Sequence, residues 1–585
     1  MPLIGTAGHV DHGKSTLVQG ITGRDPDRWA VEKQRGLTID LGFAWTTLPD
    51  GTEVSFVDVP GHERYLKNML AGIETVDLAL FVVAADEGWM PQSEEHLAVL
   101  DLLEVDRGVV ALTKTDLAED ELVDLAAADV ADRLRGTSLE DAPIVPVSAA
   151  TGHGLTGLLD ALADMIPQTS IDRQRPRLWV DRSFTVAGAG TVVTGSLLDG
   201  SISVDDQVEV YPKRDSARVR GVQSHERSHQ TIGPGRRVAL NLAGLDHDEI
   251  ERGHMIGVPG QWEMSQRFTV RFRVARYVEE LRPKGAYQLH VGSAAHRVDI
   301  TGLEGDTAVF QVDTHLPLMT GDRFILRDTG RRLVVAGGRV LDPAPPAGRR
   351  RAIATSKAID PAAGPDEIAG ALLAIRANDD FARLLAHSGG GTPPTGVVIA
   401  GRVVATTYLD SLEERAVMLV DEEHESHPLR PGLPMATLAG RLGVEPAVAE
   451  AIVARCDALQ RIGPDVARVG HGNALDDDQL VAWERARARL EESLAVPRES
   501  DLGLDPEIIH MKIRAGELIR VAPGLVYLPS QIAALREKLG TLGESFTVAR
   551  FRDVSGLSRK YAVPILEWAD KEGLTIRHGD VRSVR

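Results

Sequence analysis

One eight-residue stretch limits the fold of this chain more than any other. Gly8-His9-Val10-Asp11-His12-Gly13-Lys14-Ser15 has the spacing G-x-x-x-x-G-K-S, directly after the apolar run Leu3 to Thr6 and before a helical segment that begins near Ser15. A strand, a glycine-bounded loop and a helix in that order turn successive backbone N–H groups inward, from Asp11 and His12 through Gly13 to Thr16, so that they can wrap a phosphate. Lys14 adds a compact positive charge, and the Ser15 hydroxyl is placed to reach Mg²⁺. A glycine-rich turn with an exposed lysine would show the same pattern, so the residues that follow decide.

Further apolar runs recur at the spacing of strand–helix units: Val54 to Val59, Leu78 to Ala84, Val109 to Thr113 and Ile144 to Val147. Several are almost continuously apolar, as strands covered on both faces must be, and residues 1–170 read as an α/β domain around a mostly parallel sheet. Loops after such strands are where ligands sit. Asp58-Val59-Pro60-Gly61 follows one strand; the acid there can hold Mg²⁺, and Gly61 lets the backbone approach a terminal phosphate. Thr38, in Arg35-Gly36-Leu37-Thr38-Ile39, offers a second hydroxyl to the metal. Thr113-Lys114-Thr115-Asp116 follows the next strand, and its Asp116 carboxylate can accept two hydrogen bonds from guanine. Adenine cannot donate both, so the expected nucleotides are GTP and GDP. Ser148-Ala149-Ala150 ends the last strand, where backbone can meet the guanine oxygen. An isolated Asp at a strand end is usually a turn former; the ordered set is what carries weight.

A length of 585 residues suggests about four domains. After Pro167 the texture changes to alternation with Gly and Asp turns, as in Phe184 to Gly195, and two small β-barrels are expected at 174–260 and 263–343. Asp342-Pro343-Ala344-Pro345-Pro346-Ala347-Gly348-Arg349-Arg350-Arg351 reads as a linker. Residues 350–585 are helix-rich, with a recurring pattern of helix end, strand, tight turn and strand at Ala515 to Val526 and at Glu572 to Val581, and more weakly at Leu459 to Val469. An array of winged-helix domains is the expectation, with a scaffold of helical repeats as the alternative.

With 43% hydrophobic and 26% charged residues the chain is built to fold. Its single cysteine, Cys456, excludes an internal disulfide and a cysteine-rich zinc site. The apolar run Leu78 to Ala85 is far too short to cross a membrane, and the start lacks a secretory pattern, so a cytoplasmic protein is expected. A net charge of −20 argues against a general grip on nucleic acid. Residues 545–585 reverse the sign, with eight basic residues against five acids. Among them Arg550 precedes, and Ser558-Arg559-Lys560-Tyr561 opens, a candidate recognition helix, while Arg577 and Arg582 flank the expected wing turn. The preceding units are less basic, and Asp421-Glu422-Glu423-His424-Glu425 reads as a solvated loop.

With these residues in place, residues 1–345 resemble the translational GTPases of the elongation factor Tu branch, through G-H-V-D-H-G-K-S-T, R-G-L-T-I, D-V-P-G-H-E and the two trailing barrels. Glu32 to Gly42, Gly188 to Gly195 and the winged-helix array extend the resemblance over the whole chain to the bacterial selenocysteine-specific elongation factors. That resemblance implies that Lys14, Ser15, Thr38 and Asp58 bind phosphate and Mg²⁺, that His62 orients the attacking water, and that Val10 and Leu37 gate it. It also implies a first barrel facing the aminoacyl end of a tRNA, with Asp181, Arg182 and Arg237 around the selenocysteine side chain. Two guanidiniums would favour a selenolate and repel one another when serine enters; strand alternation puts Arg236 on the opposite face. The unit at 540–585 is implied to read an mRNA hairpin through Arg550, Arg559, Lys560, Arg577 and Arg582. The implied partners are selenocysteyl-tRNA, that hairpin and the ribosome, with no membrane, and the protein is expected to be a monomer.

One departure from the pattern stands out: Thr113 replaces the usual asparagine of N-K-x-D, an amide that bonds both base and phosphate loop, so a looser grip on GDP is expected. Two rivals remain open. A general elongation factor has no need of roughly 235 extra residues beyond the barrels. A GTP-controlled regulator that sets winged helices on DNA would have no use for aminoacyl-binding barrels.

Overall fold

Apolar runs at the start of the chain form a six-stranded sheet: β1 (Leu3–Gly8), β2 (Gly42–Thr47), β3 (Glu53–Asp58), β4 (Leu78–Ala84), β5 (Gly108–Thr113) and β6 (Ile144–Pro146), in the order β2-β3-β1-β4-β5-β6. The computed structural model describes residues 2–26, 41–60, 76–166, 172–471 and 474–585. All pairs in this sheet are parallel except the edge strand β2 against β3. Every residue of β1, β4 and β5 is buried, because helices cover both faces: α1 (Lys14–Thr22), α2 (Pro91–Leu102), α3 (Asp120–Leu134) and α4 (Leu155–Met165). β2 is the strand that the apolar runs did not reveal; only half of it faces the core.

Two closed barrels follow. The first contains β7 (Arg177–Val186), β8 (Gly190–Leu198), β10 (Gln207–Tyr211), β11 (Asp215–Ser224), β14 (Arg236–Ala243) and β15 (Met255–Gly257), in the order β10-β15-β7-β8-β14-β11, and β11 pairs back with β10. The short strands β9 (Ile202–Ser203) and β13 (Thr231–Ile232) pair with each other, and β12 (Arg227–His229) pairs antiparallel with the end of β11. The second barrel runs β16 (Met264–Val274), β19 (Thr307–Pro317), β18 (Ala294–Glu304), β17 (Tyr287–Val291), β20 (Arg323–Asp328) and β21 (Leu333–Asp342). Its core stacks Phe268, Phe310 and Phe324 edge to face, a favoured aromatic geometry. Arg177 joins the barrels: it pairs with Asp199 and with Asp322, each at 2.7 Å.

The expected linker is corrected at its basic end. Arg349–Ser356 is a helix whose Ala352 and Ile353 are buried against Val309 of the second barrel. Helices Pro365–Arg376 and Phe381–Ser388 with strands Asn378–Asp380, Val397–Ile399 and Arg402–Val404 complete this first compact unit, Met1–Ala405. Buried Arg376 bonds Asp379 of the strand Asn378–Asp380 and Asp342 at the end of β21.

The second unit is Thr406–Arg585. Three times it places short helices before a hairpin: Leu459–Ile462 with Asp465–Arg468, Ile519–Ala522 with Leu525–Tyr527, and Thr575–His578 with Val581–Val584. These hairpins are the wings that a purely helical scaffold lacks. The acidic run 421–425 is corrected from loop to helix: it lies in Thr406–Ser426, where Asp421, Glu422 and Glu423 pair with Arg468, Arg441 and Arg430. No described helix is long and apolar enough to cross a membrane.

Candidate functional site

Gly8 ends β1 at φ 129°, where a Cβ would meet the Val82 carbonyl oxygen at 2.1 Å, so the loop can leave the sheet beside β4 only with glycine there. Gly13 caps α1 at φ 83°, and nothing lies within 4 Å of the place a Cβ would take. Two side chains of α2 hold the loop between them. His96 Nδ1 accepts from the Gly8 N–H at 2.9 Å and Gln92 Oε1 from the Val10 N–H at 3.1 Å. Burial keeps the His96 imidazole well below its usual pKa, so it is a neutral acceptor. Sequence reasoning missed both residues; their i, i+4 spacing places them on one face of the helix.

Lys14 folds over this loop, with Nζ donating to Gly8 O at 3.1 Å and His9 O at 2.6 Å. Asp58, fully buried at the end of β3, accepts from Thr6 Oγ1 at 2.8 Å and from Ser15 Oγ at 2.6 Å. Lys14, Ser15 and Asp58 are therefore brought together beside the open space at Gly13. A hydroxyl and a carboxylate in contact suit a hard, oxygen-seeking ion such as Mg²⁺. Asp11 and Thr16 are exposed, and His12 is buried. Leu37, Thr38, Gly61 and His62 lie outside the described residues.

β5 and β6 are parallel neighbours, so the residues at their ends emerge side by side. Lys114, in the left-handed region, pairs with Glu87 at 2.5 Å and Asp86 at 3.7 Å. Asp116 is exposed on the turn Thr115–Leu117. Ser148 is buried, its N–H donating to His153 O at 3.0 Å, and Ala149 follows it half-buried. The expectation for Thr113 is corrected in one part: its Oγ1 donates to the His12 carbonyl at 2.7 Å, so the link to the phosphate loop survives the loss of the asparagine amide. Thr113→Val keeps the shape and removes this bond. A net hydrogen bond contributes about 1 kcal/mol, so GDP release should quicken about fivefold, measured with a fluorescent GDP; an unchanged rate would assign the link no role.

In the first barrel, strand pairing explains how two adjacent residues serve one pocket. β7 and β8 pair Val180 with Gly195 and then Arg182 with Thr194, which leaves Asp181 as the extra residue of a bulge. Bulges re-aim side chains. Asp181 thereby meets Arg237 of β14 through two bonds, Nη2 to Oδ1 at 2.9 Å and Nε to Oδ2 at 3.2 Å, while Thr194 Oγ1 lies 2.9 Å from Arg237 Nη2. Arg182 Nη2 donates to Leu41 O at 2.7 Å. Phe43 of β2, which sequence reasoning missed, lies under both guanidiniums, 3.5 Å from Arg237 and 5.6 Å from Arg182. Asp181 pairs with Arg237, so the two guanidiniums do not face each other as the two bare cations expected.

Arg430, Arg441, Arg455, Arg468 and Arg520 each pair with a carboxylate. In the last winged segment Arg550, Arg559, Lys560 and Arg577 are exposed, and among the described residues no carboxylate pairs with them. Arg559 and Lys560 open the helix Arg559–Lys571 after Ser558. Arg582 differs, and its expected place at the RNA is corrected. Only 5% exposed, it is held by Asp570 at 2.9 and 3.1 Å, and Asp570 also accepts from Thr575, so Arg582 fixes the wing to the helix.

Sheet, phosphate loop and paired barrels together define a translational GTPase, a GTP-binding enzyme. The family described as Elongation factor Tu GTP binding domain matches residues 1–168, Elongation factor Tu domain 2 matches 190–257, the selenocysteine-specific elongation factor beta-barrel domain matches 265–347, and the winged helix of elongation factor SelB matches 537–584. The selenocysteine-specific elongation factor of Desulfomicrobium baculatum is 34% identical over the full length of both chains, and that of Escherichia coli K12 is 32% identical over all of this chain and 98% of its own. A crystal structure of a bacterial selenocysteine-specific elongation factor aligns over 100% of this chain and 99% of that one, with 27% identity and a TM-score of 0.73. The chain belongs to the selenocysteine-specific elongation factor family.

Proposed function

We propose that this protein carries selenocysteyl-tRNA to the ribosome at UGA codons marked by an mRNA hairpin and hydrolyses GTP once the codon is paired. The observation that carries this reading is the bulged Asp181-Arg182 pair beside Arg237. A selenol ionises more readily than a thiol, so near neutral pH selenocysteine is an anion, whereas serine, its precursor on the same tRNA, is neutral. Half-buried guanidiniums held in fixed positions favour the anion over the neutral hydroxyl.

In the nucleotide site the backbone from Asp11 and His12 through Gly13 to Thr16 holds the phosphates, with Lys14 balancing their charge. Ser15, Asp58 and Thr38 would hold Mg²⁺, which when bound neutralises charge on the phosphate oxygens. Gly61 would meet the terminal phosphate through its backbone, and His62 would orient the attacking water. Lys114, Asp116, Ser148 and Ala149 receive guanine, the Asp116 carboxylate selecting against adenine. Delivery to ribosomes makes this a cytoplasmic protein, acting as a monomer.

Arg550, Arg559, Lys560 and Arg577 grip the mRNA hairpin from the recognition-helix start and the wing. No described carboxylate pairs with these four, whereas Arg430, Arg441, Arg455, Arg468 and Arg520 of the preceding segments each have an acidic partner. Arg577→Ala should weaken binding of a labelled hairpin about tenfold, the loss of a charge-assisted bond, without lowering the melting temperature. Arg582→Met should lower the melting temperature first. The opposite assignment of the two effects would reverse their roles.

The test of the whole reading is protection of the aminoacyl ester at saturating GTP. The protein should slow hydrolysis of selenocysteyl-tRNA and leave seryl-tRNA nearly unprotected; equal protection of both would overturn it.

A further inference from the structure

We propose that His9, His12 and Glu87 form a site for a divalent transition-metal ion of the zinc class, separate from the Ser15–Asp58 oxygen pair. One ligand atom from each of the three residues lies within 4.8 Å of the other two. Both imidazoles turn Nδ1 toward a backbone carbonyl: His9 Nδ1 faces the Val10 carbonyl at 2.5 Å and His12 Nδ1 faces the Val82 carbonyl at 3.4 Å. A carbonyl can only accept, so each Nδ1 carries the proton and each Nε2 keeps a lone pair. Metal-bound histidines are fixed in the same way by a carbonyl behind the ring.

His12 supplies an independent sign. Its side chain is 0% exposed and its Nε2 has no hydrogen-bond partner, although buried polar atoms are almost always satisfied. Two imidazoles and a carboxylate are a zinc-type donor set, whereas Mg²⁺ prefers oxygen alone. Metal bonds of about 2.0–2.2 Å require the three groups to close up, and Glu87 and His9 both reach solvent and can turn. Lys114 competes for Glu87 at 2.5 Å, but Asp86 stands 3.7 Å from the same ammonium and can keep it paired. A bound ion would tie the phosphate loop to the turn after β4.

The test uses the full chain with Mg²⁺ in saturating excess, Co²⁺ as optical probe and Zn²⁺ as competitor. One equivalent of Co²⁺ should bind, giving visible absorption of a nitrogen-containing site, and Zn²⁺ should displace it. His9→Asn and Glu87→Gln should each weaken binding by at least about tenfold; their side chains reach solvent, so folding should hold. No bound Co²⁺ at micromolar metal in the presence of that Mg²⁺, or unchanged affinity in both variants, would overturn the proposal.

Discussion

Arg177→Met is expected to destabilise the first unit by about 3–5 kcal/mol at neutral pH, the usual cost of removing one partner from a buried ion pair. Arg177 lies between Asp199 and Asp322 at the seam of the two barrels, with side-chain exposures of 9%, 15% and 2%. Burial works against its charge, yet Asp322 and Asp199 raise its pKa above the ordinary value. Methionine keeps the packing but leaves two carboxylates without their shared cation. Burial already raises the Asp322 carboxyl, with Arg177 opposing, and the variant removes that opposition. A carboxyl raised in the folded state binds its proton more readily folded than unfolded. The deficit should therefore be full above the raised pKa and shrink as the pH falls through it toward the unfolded value of about 4. Urea unfolding near pH 7 and near pH 5 measures both parts, and Arg177→Met with Asp322→Asn should recover much of the loss. A deficit below about 1 kcal/mol would place this pair with surface ion pairs.

Arg237→Met should reduce the preference for selenocysteyl- over seryl-tRNA by about 10–100-fold, the equivalent of a charge-assisted hydrogen bond of about 1.5–3 kcal/mol. This follows from the proposed delivery role. The bidentate bond to Asp181 and the face of Phe43 hold Arg237 in one orientation. The variant removes one positive charge and leaves Asp181 without that cation, so the pocket becomes more negative and loses preference for an anion. Binding of the seryl form should change little. Arg236→Met is the control, since alternation along β14 sends Arg236 to the other face, and it should preserve the preference. Competition between the two charged tRNAs at saturating GTP reads the ratio; an unchanged ratio would remove Arg237 from the pocket.

The phosphate loop, the buried strands of the GTPase sheet, the alternation of the barrels and the recurring wings could all be read from residue order. Each is a local pattern, governed by glycine conformations, by period-two or continuous apolarity, and by turn chemistry. The extra charge of the last forty or so residues was legible for the same reason. Contacts between distant segments were not. Nothing near Thr113 announces that its hydroxyl reaches His12, and nothing near Arg582 announces Asp570 beneath it. The basic tract at Arg349 reads as linker until Val309 supplies a surface for Ala352 and Ile353.

The pocket of the first barrel marks the boundary most clearly. Asp181, Arg182 and Arg237 are visible as residues, but strict alternation would send Asp181 and Arg182 to opposite faces. One unpaired residue in β7 resets the phase, and Phe43 arrives from the edge strand of another domain. The order of residues alone determined which chemical groups the protein owns and which short segments curl, extend or turn, because those preferences act over a few bonds. Which groups meet, and so which charges remain free to act on a ligand, was decided only by the tertiary structure, since burial and pairing depend on neighbours that lie far away along the chain.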